Sequence, residues 1–157
     1  MQQAPFALNL LRSLCLTAAV ALAPAWAQSN EATEAMADYM AFAEYGGGTI
    51  FPEQIPADQY PKTYIIDARD AKQYAASHIP GAVNMEWREV LAQRDSIPKD
   101  QMVLIYCNTG SLSAQAGFAL RVAGWSNVRI LQGGYQEWLT KGGLQANARA
   151  GGVAPTE

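Results

Sequence analysis

Apolar positions change their period several times along the 157-residue chain. Residues 31–45 place Ala32, Met36, Tyr39, Met40 and Ala43 close to a 3.6-residue repeat, which predicts an amphipathic helix ended by Gly46-Gly47-Gly48. Shorter runs follow. Thr63 to Ile66 predicts a strand closing on Asp67, residues 70–76 a short helix, Ala82 to Met85 a strand entered through the Pro80-Gly81 turn, and residues 86–94 a helix. Met102 to Tyr106 is apolar without interruption, the pattern of a strand covered on both faces. Residues 113–123 then suit a helix stopped by Gly124 at its C′ position, Val128 to Leu131 a strand, and Gly133-Gly134 turns the chain into a last helix through Trp138. From Gly142 onward the chain is rich in glycine and alanine, and no packed element is expected there. Strands alternating with helices predict an α/β fold, a parallel sheet with helices on both faces.

The N-terminus reads differently. Arg12 is the only charged side chain before the apolar run Leu14 to Ala23, Ala25-Trp26-Ala27 fits a small-x-small cleavage site, and polar Gln28-Ser29-Asn30 follows. Residues 1–27 are therefore read as a signal peptide, 28–48 as an N-terminal helical extension, 49–145 as the main domain and 146–157 as a flexible tail. The apolar run is shorter than the roughly 20 residues that span a bilayer, so no stable membrane insertion is expected after processing. A retained anchor is the competing reading of the same run. The expected location is periplasmic or secreted.

Composition narrows the function classes. Half the chain is hydrophobic, enough for one core, and the net charge is −3 with no basic cluster, which argues against a nucleic-acid partner. Of the two cysteines, Cys15 leaves with the signal peptide and Cys107 remains. An exported chain with one cysteine forms no internal disulfide, so its thiol is buried and inert, joined to another chain, or reactive. One cysteine and one histidine supply too few ligands for a metal, and no cofactor is expected.

The stretch Met102 to Ser113 carries the chemistry. A covered strand ends at Cys107, a loop of small and hydroxyl residues follows (Asn108, Thr109, Gly110, Ser111), and a helix begins. Ligands of open α/β sheets bind at the carboxyl ends of strands. Gly110 permits a sharp turn. Loop amides and the first helical turn can then form an anion-binding nest around the sulfur, favouring the thiolate. Ser111 or Ser113 is a candidate helix cap. A plain buried cysteine at a strand end is the alternative reading. A nucleotide phosphate loop is excluded, because no lysine follows Gly110.

Four blocks resemble the rhodanese homology domain in order and spacing: Ile65-Ile66-Asp67-Ala68-Arg69, Tyr74 through His78-Ile79-Pro80-Gly81-Ala82, Cys107 through Gly110 to Ser113, and Gly133-Gly134-Tyr135 through Trp138. The resemblance covers about residues 50–142. It implies a doubly wound five-stranded parallel sheet with helices on both faces. It also implies a sulfurtransferase of the thiosulfate:cyanide class, moving sulfane sulfur from thiosulfate, a polysulfide or a persulfide to a thiophilic acceptor such as cyanide or a thiol. Cys107 would be the nucleophile and persulfide carrier, cradled by the amides of Asn108, Thr109, Gly110, Ser111, Leu112 and Ser113. From their positions, Asp67 and Arg69 at a strand end read as a scaffold pair bracing the site, with direct substrate contact as the alternative, and His78 reads as a structural histidine at the turn before Pro80-Gly81, with a catalytic base as the alternative. A thiol or redox protein is a candidate partner.

The departures from the family pattern shape the substrate question. Thiosulfate-using members often place Arg, Lys or Thr at the sixth loop position, where a cation would hold the sulfonate, and this chain has Leu112. That favours a less charged donor, and it supports a rival reading as a low-turnover sulfur carrier or docking module. Ser77 and Gln73 also differ from the usual pattern. Phosphatases and arsenate reductases of similar site shape need Arg at the seventh position. Ser113 stands there and argues against that chemistry.

Overall fold

A computed structural model describes residues 25–56 and 58–143. The signal-peptide reading of residues 1–27 lies almost wholly outside the described residues, and the tail at 146–157 lies entirely outside them. Contacts divide the chain into two compact units at the Glu34–Ala35 boundary, inside the first helix, α1 (Ala25–Phe42). The described part of the first unit is the opening half of that helix.

The second unit is built on five parallel strands: β1 (Thr49–Ile50), β2 (Tyr64–Asp67), β3 (Val83–Asn84), β4 (Val103–Tyr106) and β5 (Val128–Leu131), in the order β1-β5-β4-β2-β3. Helices α2 (Ala71–Ala76), α3 (Ser111–Val122) and α4 (Gly134–Thr140) connect or follow them. The step from β2 to β3 runs outward in one direction and the step from β4 to β5 in the other. Winding therefore reverses between the adjacent strands β2 and β4, and in such sheets that reversal opens the ligand crevice at the strands' carboxyl ends. Asp67 pairs with Tyr106 there, which puts Cys107 directly at the reversal.

Alternation along the central strands divides the core. Ile66, Val103, Ile105, Val128 and Ile130 pack with Ala116 and Leu120 of α3 on one face. Ile65, Leu104, Tyr106 and Leu131 pack with Tyr135 and Trp138 of α4 on the other. The uninterrupted apolar run of β4 has this cause: successive side chains point to opposite faces, and both faces are covered. Gly117 lets α3 lie close, since a Cβ there would meet Ile130 Cγ1 at 2.8 Å.

Three expectations are corrected. Residues 86–94 form no helix; they are turns leading to a 3₁₀ turn at Arg94–Ser96. The Trp87 amide donates to the Ala68 carbonyl just past β2, the Glu89 and Gln93 amides donate locally to the carbonyls of Glu86 and Glu89, and Val90 enters the core. Tertiary pairing overrides a local helical preference. The first helix runs from Ala25 to Phe42 rather than over 31–45. Neither Ser111 nor Ser113 caps α3; its N-cap is Gly110 at φ 102, with no side-chain cap. The edge strand β1 is only two residues long and leaves no periodic trace in the sequence.

Candidate active site

Cys107 follows β4, is 2% exposed, and is held by the loop that leads into α3. The Tyr135 amide donates to the Cys107 carbonyl at 2.8 Å and the Gln136 amide to the Asn108 carbonyl at 3.1 Å. These bonds pull the loop carbonyls towards α4. In a trans peptide the N–H points opposite to the C=O, so the Thr109 amide, opposite the Asn108 carbonyl, turns inward to the sulfur. Gly110 N–H donates to Sγ at 3.2 Å, and the Ser113 hydroxyl lies 3.6 Å from it.

The sulfur's acidity follows from two opposed effects. Burial pushes the thiol pKa up. The amides of Ser113, Thr109 and Gly110, with the Ser113 hydroxyl, favour the thiolate and outweigh burial, so the net direction is down. The contribution to folding stability has the sign of any acid with a depressed native pKa. It is fully present above the thiol's unfolded pKa and lost as pH falls through the native one. Ser113→Ala removes one donor and keeps its amide, while Gly110's carbonyl retains the Ala114 amide at 2.8 Å. The acid limb of the kcat/KM–pH profile should move to higher pH, with a several-fold loss at neutral pH; an unmoved limb would remove Ser113 from this role.

A second network braces the loop from behind. Asp67 is fully buried and Arg69 is 6% exposed. Asp67 Oδ1 accepts from Arg69 Nε at 2.9 Å and Oδ2 from Arg69 Nη2 at 2.6 Å, while the Tyr106 hydroxyl donates to Oδ2 at 2.7 Å. That hydroxyl accepts the Ile79 amide at 3.0 Å. Hydrogen bonding to Asp67 raises the Arg69 pKa, so the guanidinium stays charged. It also donates to the Ser77 carbonyl at 2.7 Å, lies 3.5 Å from Asn108 Oδ1, and packs 4.3 Å from the Tyr135 ring centre. The chain of contacts thus joins β2, the His78–Gly81 turn, the cysteine loop and α4.

The other site candidates separate by place. Asn108 is half-buried and donates to Gln73 Oε1 at 2.6 Å, while Gln73 Nε2 donates to Asp70. A carboxylate at position 73 could accept from Asn108 but could not donate to Asp70, so the departure from the family pattern has a structural use. Thr109, Ser111 and Leu112 are exposed on the rim. His78 holds the turn: its Nδ1 lies 2.9 Å from the Tyr74 carbonyl and its ring stacks on Tyr74 at 4.0 Å. Among the described residues no hydrogen bond or ring contact joins it to the cysteine loop.

Sequence reasoning passed over Tyr106, which stands next to Cys107 in a strand and looks there like any core aromatic. It read Gly134 as a turn residue and missed its close approach to the cysteine loop. At φ 62, a Cβ on Gly134 would sit 2.5 Å from the Cys107 carbonyl oxygen. Gly134→Ala should cost about 1–3 kcal/mol in chemical denaturation through backbone strain, and more if α4 is pushed off the loop. An unchanged midpoint would contradict this close approach.

Comparisons with known proteins agree with the geometry. The family model of the Rhodanese-like domain matches residues 52–141. The chain is 34% identical over 89 residues to thiosulfate sulfurtransferase GlpE of Pseudomonas entomophila, a match covering 57% of this chain and 82% of that protein. It is 30% identical over 79 residues to the uncharacterized protein YqhL of Bacillus subtilis, covering 50% of this chain and 63% of YqhL, so it spans less than two thirds of that relative. Among solved structures it is similar to the human single-domain sulfurtransferase TSTD1, with 27% identity and a TM-score of 0.51, covering 60% of this chain and 96% of that one.

Proposed function

The chain belongs to the Rhodanese-like domain family, and from that premise we propose that it is a sulfurtransferase carrying sulfane sulfur as a persulfide on Cys107. The observation that carries this reading is the set of inward N–H donors around Sγ, together with the lowered thiol pKa. In the first half-reaction the thiolate attacks the outer sulfur of the donor. A new S–S bond forms, the donor's S–S bond breaks, and its electron pair leaves with sulfite or a thiolate. In the second, the acceptor attacks the terminal sulfur and the Cys107 thiolate departs. The same amides serve the thiolate and the persulfide anion, so no separate base is required.

Leu112 bears on the donor. It is exposed in the first turn of α3, and the loop from Asn108 to Ser113 contains no cation to hold a sulfonate. We therefore favour a polysulfide or persulfide donor over thiosulfate. The same observation supports the second reading, a low-turnover carrier that hands its sulfur to a thiol or redox protein. Location outside the cytoplasm is proposed on the N-terminal pattern alone.

Intact mass after exposure to thiosulfate, polysulfide or glutathione persulfide tests the proposal. One added sulfur atom is expected, most rapidly with polysulfide or persulfide, and none in Cys107→Ala. Addition that survives that substitution would overturn the assignment. Loading without steady-state turnover would select the carrier reading.

A further inference from the structure

The end of α3 farthest from the cysteine loop bears a feature that sulfur transfer does not use. Arg121 lies in the last turn of α3 and Arg129 on β5. Arg121 Nη1 donates to the carbonyls of Ser126 at 3.4 Å and Val128 at 3.1 Å, and Arg129 Nη1 donates to the same two oxygens at 2.9 and 3.0 Å. Sharing acceptors holds the two Nη1 atoms within roughly 6 Å of each other, close enough for like charges to repel. Among the described residues neither guanidinium has a carboxylate partner. Arg121 Nε donates to the Tyr39 hydroxyl at 2.7 Å, which leaves that hydroxyl's own proton available. Nη2 of each arginine has no acceptor among the described residues.

Both arginines border a groove of about 440 Å³, open to solvent over much of its extent, that Tyr39, Phe42, Glu44 and Ser126 also line. A groove of that size leaves room beside the arginines for a small organic molecule. Phe42 is 88% exposed, an unusual state for a phenylalanine. Glu44 on the same lining disfavours a compact anion charged on every side and leaves the arginines as the place for a single charged end.

We infer that this groove binds a small organic oxyanion, its charged end held by Arg121, Arg129 and the Tyr39 hydroxyl and its apolar body against Phe42. Guanidinium groups match such planar or tetrahedral oxygens with paired N–H donors. The site lies roughly 15 Å along α3 from Ser111, at the helical rise per residue, and is independent of Cys107.

Sodium benzoate and inorganic phosphate, titrated separately at constant ionic strength, test it through the amide NMR shifts of Ser126, Val128 and Arg129. Benzoate should saturate in the low-millimolar range. Arg129→Gln should weaken it at least about ten-fold. Phe42→Ala, a change at an exposed side chain, should weaken it several-fold without altering the melting temperature. Cys107→Ser should bind as the parent does. Phosphate binding as tightly as benzoate would overturn the organic class. Failure of benzoate to saturate, or saturation indifferent to both substitutions, would overturn the site.

Discussion

Cys107→Ser is expected to lower sulfur-transfer turnover by about 1,000-fold or more while the fold persists. A serine hydroxyl fits the space and can accept the Gly110 amide that now reaches Sγ at 3.2 Å. It is not ionised near neutral pH, however, and it cannot form the S–S bond on which both half-reactions depend. The loss should fall on kcat and kcat/KM together, because the missing step is covalent. Steady-state assay with polysulfide as donor, beside a melting curve, makes the measurement. A variant that folds and still transfers sulfur within ten-fold of the parent would end the persulfide mechanism. The pH dependence gives a second check. Parent activity should persist below the range where an ordinary free thiol protonates, since the loop amides lower the Cys107 pKa.

The largest stability effect is expected at Asp67. Asp67→Ala leaves Arg69, 6% exposed, without its carboxylate and the Tyr106 hydroxyl without its acceptor. Breaking one side of a buried pair costs about 3–5 kcal/mol, because the surviving charge remains desolvated. For a domain of this size the melting temperature should fall by roughly 10–20 °C. The paired change Asp67→Leu with Arg69→Met removes both charges and should recover much of that stability. It should not recover activity, because Arg69 also anchors the Ser77 carbonyl and approaches Asn108. Recovery of both by the double variant would mean that the pair serves packing alone. A loss below about 1 kcal/mol for Asp67→Ala would mean that the network is looser than its distances imply.

Much of this was legible in the residues. The run from Met102 to Tyr106 announced a strand covered on both faces, and the order strand, cysteine, glycine loop, helix placed Cys107 at a strand's carboxyl end. The turn glycines Gly110 and Gly133 stand at positive φ, as their contexts suggest. Other features left no local trace. The stretch 86–94 has good helical composition, yet the Trp87 amide is tied to the Ala68 carbonyl just past β2 and the residues after it fold as turns. Strand β1 is two residues long, too short for any period to show.

Local pattern, by itself, determined the alternation of elements, the parallel α/β class and the one thiol on which the chemistry turns, because periodicity, glycine placement and side-chain chemistry act over a few residues. Only the tertiary structure decided which way the loop amides face, that Gln73 and Tyr106 hold the site, and that Arg121 and Arg129 converge. Those outcomes depend on hydrogen bonds between distant positions, such as the 39 residues separating Tyr106 from Asp67. Such bonds exist only once the sheet has brought the strand ends together.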